Sequence, residues 1–176
     1  MHKIIISMLF CFILIKTMGQ SQKKLSLYLS GQFHHTLYDR MKSENPFGFG
    51  VGLQLFFNNT AKLKPILEIS AEAFPSKSKV LFLNPDGTSI DNIDIVANLF
   101  AGVSYYPIRQ VYVAFSAGPG IANGNVLLGI RPSLGFYFSP NQKCMGRVSY
   151  TNLFHRDKFT QKDLGVLSFS IGIHLF

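Results

Sequence analysis

Histidine and serine are the side chains through which this sequence could carry acyl-transfer chemistry. Such an enzyme needs a nucleophile, a base within hydrogen-bond reach and a group that orients the base. On a β-strand a His and a Ser two residues apart would share a face, and the sequence contains no His-x-Ser. His34, His35 and His155 stand where strand-like patterns give way to loops. They could form a metal or catalytic cluster at one rim, but polar residues at the boundary of the fold are the interpretation we favour.

Glu68 and Glu72 are the second arrangement to consider, because two adjacent carboxylates can share a proton and act as acid and base. Four residues along a strand separate two side chains by about 13 Å, which is too far for that role. An unpaired charge in a protein interior is costly, so we expect these glutamates to have cationic partners, and Arg131 and Arg147 are the predicted ones. With Asp94 these residues form a predicted structural charge network.

No motif in the sequence indicates a cofactor or metal site. The Gly-Pro-Gly at 118–120 lacks the Lys and the following helix of a phosphate-binding loop. Cys144 is the single cysteine after the first 20 residues, so no disulfide is expected. The sequence therefore predicts no catalytic residue, no cofactor, no metal and no enzymatic activity.

β-Strands are the elements that must position these charges, because apolar residues recur at every second position along the chain. In the segment 47–57 the odd positions carry Phe, Val and Leu. The even positions from 48 to 54 carry Gly or Gln. No helix is expected beyond the N-terminal segment. Eight strands are predicted, at 25–33, 47–57, 66–74, 91–106, 110–120, 126–139, 143–154 and 164–176.

The less apolar face of these strands distinguishes between two kinds of β-protein. A soluble barrel or sandwich would expose a charged face, but this face consists mainly of Gly, Ser, Asn and Gln. Small polar residues with a few compensating charges suit the filled lumen of a narrow barrel. Charged residues make up 15% of the chain, against about 25% in soluble domains, so an apolar outer face in contact with lipid is expected. The fold class predicted is all-β, an eight-stranded antiparallel up-and-down transmembrane β-barrel.

The predicted connections alternate in length, as they do in such barrels. Three odd-numbered connections are long (34–46, 75–91 and 155–163), and the other is a tight hairpin at 121–125. The even-numbered ones are short turns at 58–62, 107–110 and 140–143. Pro132 interrupts the sixth strand and should mark a bulge or an irregular edge. Aromatic residues near the short turns are expected to form an interfacial girdle, comprising Phe56, Phe57, Tyr105, Tyr106, Phe136, Tyr137, Phe138 and Phe176.

The N-terminal segment has the features of a secretory signal. Its apolar run, 4–15, follows a basic start and is too short to span a bilayer as a helix, which takes about 20 residues. We expect residues 1–19 to be a signal peptide, cleaved between residues 19 and 21, and the barrel domain to cover 25–176. Without that segment the chain keeps 15 basic and 9 acidic residues. The basic residues are scattered over loops, so binding of nucleic acid is not expected.

Several stretches resemble small outer-membrane β-barrel proteins of Gram-negative bacteria, and most closely the PorT-like outer-membrane β-barrel domain family. These are the signal, the eight amphipathic strands, YYPIRQVYVAFSAGPG (105–120), RPSLGFYFSP (131–140) and the terminal Phe176. The resemblance implies an architecture similar to OmpA and OmpX and residence in the cell outer membrane, with membrane lipid as the surroundings. It further implies that Phe176 helps the barrel assembly machinery to recognise the chain.

The function expected is a non-enzymatic structural or surface-interaction role through the outer loops, and any ligand or protein partner at the surface stays open. An eight-stranded barrel leaves little room for a porin-like channel. Two alternatives remain at this stage. One is an outer-membrane lipid-modifying enzyme of the lipid A deacylase or acyltransferase type. The other is a secreted, lipocalin-like soluble binding barrel, in which Leu53, Leu99 and Phe169 would face inward.

Overall fold

The computed structural model describes residues 25–37, 45–58, 61–75, 82–83, 89–90, 93–122, 124–154 and 163–176; for 82–83, 89–90 and 93–94 it describes the backbone alone. The expected signal peptide, its cleavage position and His155 lie outside the described residues, as does most of each long connection. Within the described part of the chain, no helix is long and apolar enough to cross a membrane.

Eight strands form one closed sheet in which each strand is antiparallel to its neighbours in the chain. The first and last strands pair as well, from Tyr28 opposite His174 to Thr36 opposite Val166. The predicted eight-stranded antiparallel barrel is thereby confirmed. The strands are β1 (Leu25–Thr36), β2 (Phe47–Phe57), β3 (Leu63–Pro75), β4 (Ile93–Ile108), β5 (Val111–Ala122), β6 (Asn125–Tyr137), β7 (Cys144–Leu153) and β8 (Leu164–His174).

The connections place the long segments at one end of the barrel and the short turns at the other. The strand ends that the segments 37–46, 76–92 and 154–163 connect lie at what we call the long-loop end, and within 76–92 a short ribbon pairs Phe82–Leu83 with Ser89–Ile90. The two-residue β5–β6 turn is at the same end, and Gly124 in it has a φ of 79°, which favours glycine. The turns 58–62, 109–110 and 138–143 define the short-turn end, which also carries both ends of the barrel chain.

The two faces of the sheet are reversed relative to a soluble barrel. Leu53, Leu99 and Phe169 point outward and are 39%, 46% and 45% exposed. Ser, Gln, Glu and Arg side chains fill the interior instead. This arrangement excludes the lipocalin-like alternative, because the apolar face does not surround a cavity. Backbone groups in lipid must be paired within the protein, and a closed sheet achieves this.

Pro132 gives its strand an irregular edge, one of the two outcomes expected for it. It lies opposite Phe115 in the β5–β6 ladder, and that register runs through it without a shift. On the β7 side the pairing stops after Ile130 and resumes at Ser133 in the same register. Pro132 therefore interrupts one ladder without producing a bulge. The register shift instead falls in the β4–β5 pair, between Tyr105 and Ile108, where Pro107 lies.

The predicted aromatic girdle is partly wrong. Phe57, Tyr105 and Phe138 are outward-facing and exposed, as a girdle requires. Phe56, Tyr106 and Tyr137 occupy inward positions and are at most 9% exposed. The prediction grouped these residues by their distance from the turns and ignored the face on which each one lies.

Candidate functional site: the charge-paired lumen

Four charged side chains meet in the middle of the barrel. Each projects inward, as the alternation of apolar and polar residues along its strand predicts. Glu68 and Glu72 come from β3, Arg131 from β6 and Arg147 from β7. All four are at most 2% exposed. Because β3 is separated from β6 and β7 by two or more strands in the sheet order, these contacts cross the lumen.

The ion pairs are specific in their geometry. Arg147 Nη2 lies 2.8 Å from Glu68 Oε2, and Arg131 Nη2 lies 2.9 Å from Glu72 Oε1. A longer contact of 3.6 Å joins Arg131 Nη1 to Glu68 Oε2. Arg131 thus bridges both glutamates, whereas Arg147 pairs with Glu68 alone among the described carboxylates. Two positive and two negative charges balance in the region where an unpaired charge would be most costly.

Neutral groups complete the surroundings of Arg131 and Glu72. Arg131 donates from Nε to Thr151 Oγ1 at 2.7 Å and from Nη1 to Ser70 Oγ at 3.1 Å. Asn98 donates to Glu72 Oε1 at 2.9 Å. The Arg131 guanidinium also lies 4.7 Å from the centre of the Phe100 ring, a cation–π distance. These contacts fix the orientation of the charges as well as their sign.

Asp94 and Phe176 take no part in this cluster as far as the structure describes them. Asp94 lies in β4 opposite Phe74, and its side chain is outside the described residues. The carbonyl of Phe176 accepts a hydrogen bond from Leu27 N at 3.1 Å, and Leu175 N donates to Leu27 O at 2.8 Å. Phe176 is thus the last rung of the seam that closes the barrel.

His34 is the functional-looking residue that the sequence analysis placed wrongly. It lies inside β1 with no exposed surface, not at the start of a loop. Its Nδ1 is 2.7 Å from Ser168 Oγ, directly across the β1–β8 ladder, and 3.8 Å from Glu72 Oε2. His35 faces outward, with its ring 5.0 Å from that of Phe47. The paired position in the neighbouring strand, which a search within one strand cannot find, brings His34 and Ser168 together.

Ser168, His34 and Glu72 nonetheless lack the arrangement of a catalytic triad. In a triad the nucleophile and the acid contact opposite nitrogens of the imidazole. Here the Ser168 hydroxyl and the Glu72 carboxylate both approach Nδ1. A Cβ added at Gly50 would lie 2.7 Å from Nε2, so that nitrogen faces the wall of the barrel. Among the described residues, no group of three or more His, Cys, Asp or Glu side chains could hold a metal ion.

Apolar clusters close the lumen on both sides of the charges. The cluster at the short-turn end is built on aromatic rings, such as the Phe56 and Tyr112 rings at 5.3 Å, and consists of Tyr28, Phe56, Ile66, Tyr106, Tyr112, Ala114, Tyr137 and Met145. The cluster at the long-loop end consists of Phe74, Val96, Phe100, Ala122, Leu153, Leu164 and Val166. We call these clusters the aromatic plug and the aliphatic plug. Together with the charge network they fill the interior in three layers.

The aromatic plug is anchored to the turns beneath it. Tyr28 donates its hydroxyl hydrogen to the carbonyl of Gln142 at 2.9 Å, and the hydroxyls of Tyr106 and Tyr137 are 3.1 Å apart. The Tyr112 ring occupies the space where a side chain at Gly135 would lie, because a Cβ there would be 2.1 Å from the ring. The sequence therefore uses a glycine to admit the ring, and the plug is a packed structure.

Three of the solved structures similar to this chain are of one outer-membrane protein. The attachment invasion locus protein Ail of Yersinia pestis matches at 18% identity with a TM-score of 0.55, covering 86% of this chain and 97% of the other. Its complex with the heparin analogue sucrose octasulfate matches at 14% identity with a TM-score of 0.59 over the same shares. Ail in a phospholipid bilayer nanodisc matches at 14% identity with a TM-score of 0.55, covering 85% of this chain and 99% of the other. The likeness establishes the fold, that of a transmembrane barrel. Neither the protein-family models nor the curated proteins gave a match.

Proposed function

We propose that this chain is an integral protein of the cell outer membrane, with its short turns in the periplasm, and that it has a structural or surface-interaction role without enzymatic activity. The observation that carries the proposal is the reversal of the two faces. A band of outward Leu, Ile, Val and Phe surrounds an interior of paired charges and hydroxyls. That band would be an aggregation hazard in water and is stabilised in lipid. The finer relationship to the PorT-like family rests on the sequence resemblance.

A closed interior argues against a pore. The aromatic plug, the charge network and the aliphatic plug succeed one another along the lumen, and the charges are held by contacts of 2.8 and 2.9 Å. An ion crossing the barrel would have to break these pairs and displace both plugs. In a planar bilayer we therefore expect no unitary conductance steps. Regular steps from the purified folded protein would contradict this part of the proposal.

The geometry around His34 is what supports a non-enzymatic role over lipid A modification. Ser168 is buried within the lumen, and its hydroxyl contacts the same His34 nitrogen as Glu72 does. A lipid acyl chain outside the barrel would not reach it. Mass spectrometry of lipid A from cells with and without the gene should give identical spectra, and a gene-dependent loss or gain of an acyl chain would contradict the assignment.

The long connections, expected at 34–46, 75–91 and 155–163 and bounded by the strands to 37–46, 76–92 and 154–163, are the segments through which we propose that a surface role is exercised. The barrel holds their ends at one rim, and loops on a rigid scaffold are the usual carriers of binding. For biogenesis we propose that Phe176, at the closing seam, is recognised by the barrel assembly machinery. The neighbouring structures contribute the fold alone to this proposal.

Cell fractionation combined with gel mobility tests the location. We expect the protein in the outer-membrane fraction, with an unheated sample that migrates differently from a boiled one because the barrel stays folded in detergent. Recovery in the soluble fraction, with no change in mobility on boiling, would refute the proposed location.

A further inference from the structure

The fixed charges of the chain are divided unequally between the two ends of the barrel. The long-loop segments and the adjoining start of β4 carry as many basic as acidic residues: Arg40, Lys42, Lys77, Lys79, Arg156, Lys158 and Lys162 against Asp39, Glu44, Asp86, Asp91, Asp94, Asp157 and Asp163. The four lumen charges also balance. The short-turn end carries Lys62, Lys64, Arg109 and Lys143 and, within the sequence 25–176, no Asp or Glu. The whole positive excess of the barrel domain therefore belongs to the short-turn end.

Three of these basic residues line one open pocket of about 300 Å³ at the barrel mouth. Lys62 ends the 58–62 turn, Lys64 lies at the start of β3, and Arg109 belongs to the β4–β5 turn. The β4–β5 register shift between Tyr105 and Ile108 lies beside the pocket, and such irregularities redirect side chains at barrel rims. The side-chain amide of Gln142 donates to Arg109 O at 3.1 Å, which joins a third turn to the site. The pocket is thus formed by three turns that the fold brings together.

The contacts of the Lys64 ammonium among the described residues are with neutral groups. Lys64 Nζ lies 4.5 Å from the centre of the Tyr106 ring and 3.4 Å from Asn58 Oδ1. Among the described residues that line the pocket, none is acidic. Three positive charges at one concave site without a counter-charge create a potential that favours an anion.

The pocket also offers apolar surface at the short-turn rim of the barrel. Ile108 is 60% exposed, and Pro107 beside it is exposed as well. A free small anion would gain nothing from these side chains, whereas a phospholipid brings its phosphate and the top of its acyl chains to this depth together. Arginine matches phosphate oxygens with two parallel donors, and lysine supplies a point charge.

We propose that this pocket binds the phosphate headgroup of an anionic phospholipid, of the phosphatidylglycerol class, from the leaflet at the short-turn end. The inference rests on the proposed membrane-spanning function. Lys62, Lys64 and Arg109 hold the phosphate, and Ile108 contacts the lipid beyond it. Basic residues near a membrane surface each strengthen attraction to anionic lipid about fivefold, so their number sets the selectivity of the site over zwitterionic lipid.

The test compares two triple variants of the full chain that change net charge equally. The site variant is Lys62→Gln/Lys64→Gln/Arg109→Gln, and the control variant is Lys77→Gln/Lys79→Gln/Arg156→Gln from the long-loop segments. Each protein is folded in a neutral detergent and titrated with short-chain phosphatidylglycerol, and bound lipid is counted by native mass spectrometry. Short-chain phosphatidylcholine and inorganic phosphate serve as competitors.

We expect the wild type and the control variant to retain phosphatidylglycerol in preference to phosphatidylcholine, and the site variant to bind it at least tenfold more weakly. Equal losses in both triple variants would overturn the proposal, because binding would then follow net charge. Displacement by inorganic phosphate at equal concentration would overturn the assignment to a lipid. Gel mobility of unheated samples separates the two proposals: an unfolded wild type would count against the membrane barrel, and a folded wild type without lipid preference would count against the site alone.

Discussion

Breaking the Glu68–Arg147 pair should reveal how the lumen charges depend on one another. The pair is fully buried, with Arg147 Nη2 and Glu68 Oε2 at 2.8 Å, and removing one partner of such a pair costs about 3–5 kcal/mol because a charge is left uncompensated. Glu68→Gln deprives Arg147 of its carboxylate among the described residues. Arg147→Met leaves Glu68 with Arg131 at 3.6 Å and Ser116 Oγ at 3.4 Å.

The remaining partners decide the order of the effects. We expect Glu68→Gln to lower the free energy of unfolding by about 4 kcal/mol and Arg147→Met by about 3 kcal/mol. The double variant removes both charges and leaves Arg131 paired with Glu72, so it should cost about 4 kcal/mol in place of the additive sum of about 7 kcal/mol. A coupling of about 3 kcal/mol is therefore predicted.

Reversible urea unfolding in phospholipid vesicles measures these values, with the folded fraction read from the mobility of unheated samples. Lys143→Met, at an exposed position in the 138–143 turn, is the control and should change stability by less than about 0.5 kcal/mol. Additivity of the two lumen substitutions, or a loss below about 1 kcal/mol for Glu68→Gln, would refute the account of the network.

Three further predictions concern the plug, the outer face and the seam. Gly135→Ala places a Cβ against the Tyr112 ring and should lower the free energy of unfolding by about 1–3 kcal/mol. The control Gly31→Ala, with no atom within 4 Å of the new Cβ, should leave stability unchanged. Equal urea midpoints for the two variants would contradict the described packing. Leu53→Arg on the outer face should cost about 2–4 kcal/mol in a bilayer, and a neutral effect in the same unfolding assay would indicate that this face is not in lipid. Deletion of Phe176 removes the carbonyl that accepts the hydrogen bond from Leu27 N at the seam and also removes the proposed assembly signal, so pulse-labelled cells should accumulate unfolded chain. If folding in cells keeps its wild-type kinetics while refolding in vitro is slower, Phe176 acts at the seam alone.

The fold could be predicted from the sequence because strand parity alone distinguishes the two faces of a barrel. The alternation in segments such as 47–57 assigned inward and outward positions without knowledge of the neighbours. Strand ends were less predictable: β1 continues through His34 to Thr36 because its backbone finds partners in β2 and β8, which a local pattern cannot reveal. Pro132 was expected to mark a bulge or an irregular edge, and of these the structure shows the irregular edge, with one ladder incomplete at the missing N–H.

The sequence predicts which charged residues face the lumen, but it does not predict how they pair. Parity put Glu68 and Arg147 on the inner face, but which arginine meets which glutamate depends on the stagger between strands on opposite sides of the barrel. The aromatic plug was missed because Tyr28 and Tyr112 were not considered as lumen residues, although both occupy even positions of their strands. Application of the same parity rule to the large aromatic residues would have found it.

The direction in which two adjacent side chains face is the most direct test of the central claim that this barrel spans a membrane with its apolar face outward. Leu99 and Phe100 are neighbours in β4 at the same depth, one 46% exposed and the other buried in the lumen. The chain contains no Trp, so Leu99→Trp and Phe100→Trp each introduce a single fluorophore. In vesicles of brominated phosphatidylcholine we predict strong quenching for Leu99→Trp and little for Phe100→Trp, with both variants folded by gel mobility. Little quenching for Leu99→Trp, or the reverse order of the two variants, would contradict the account.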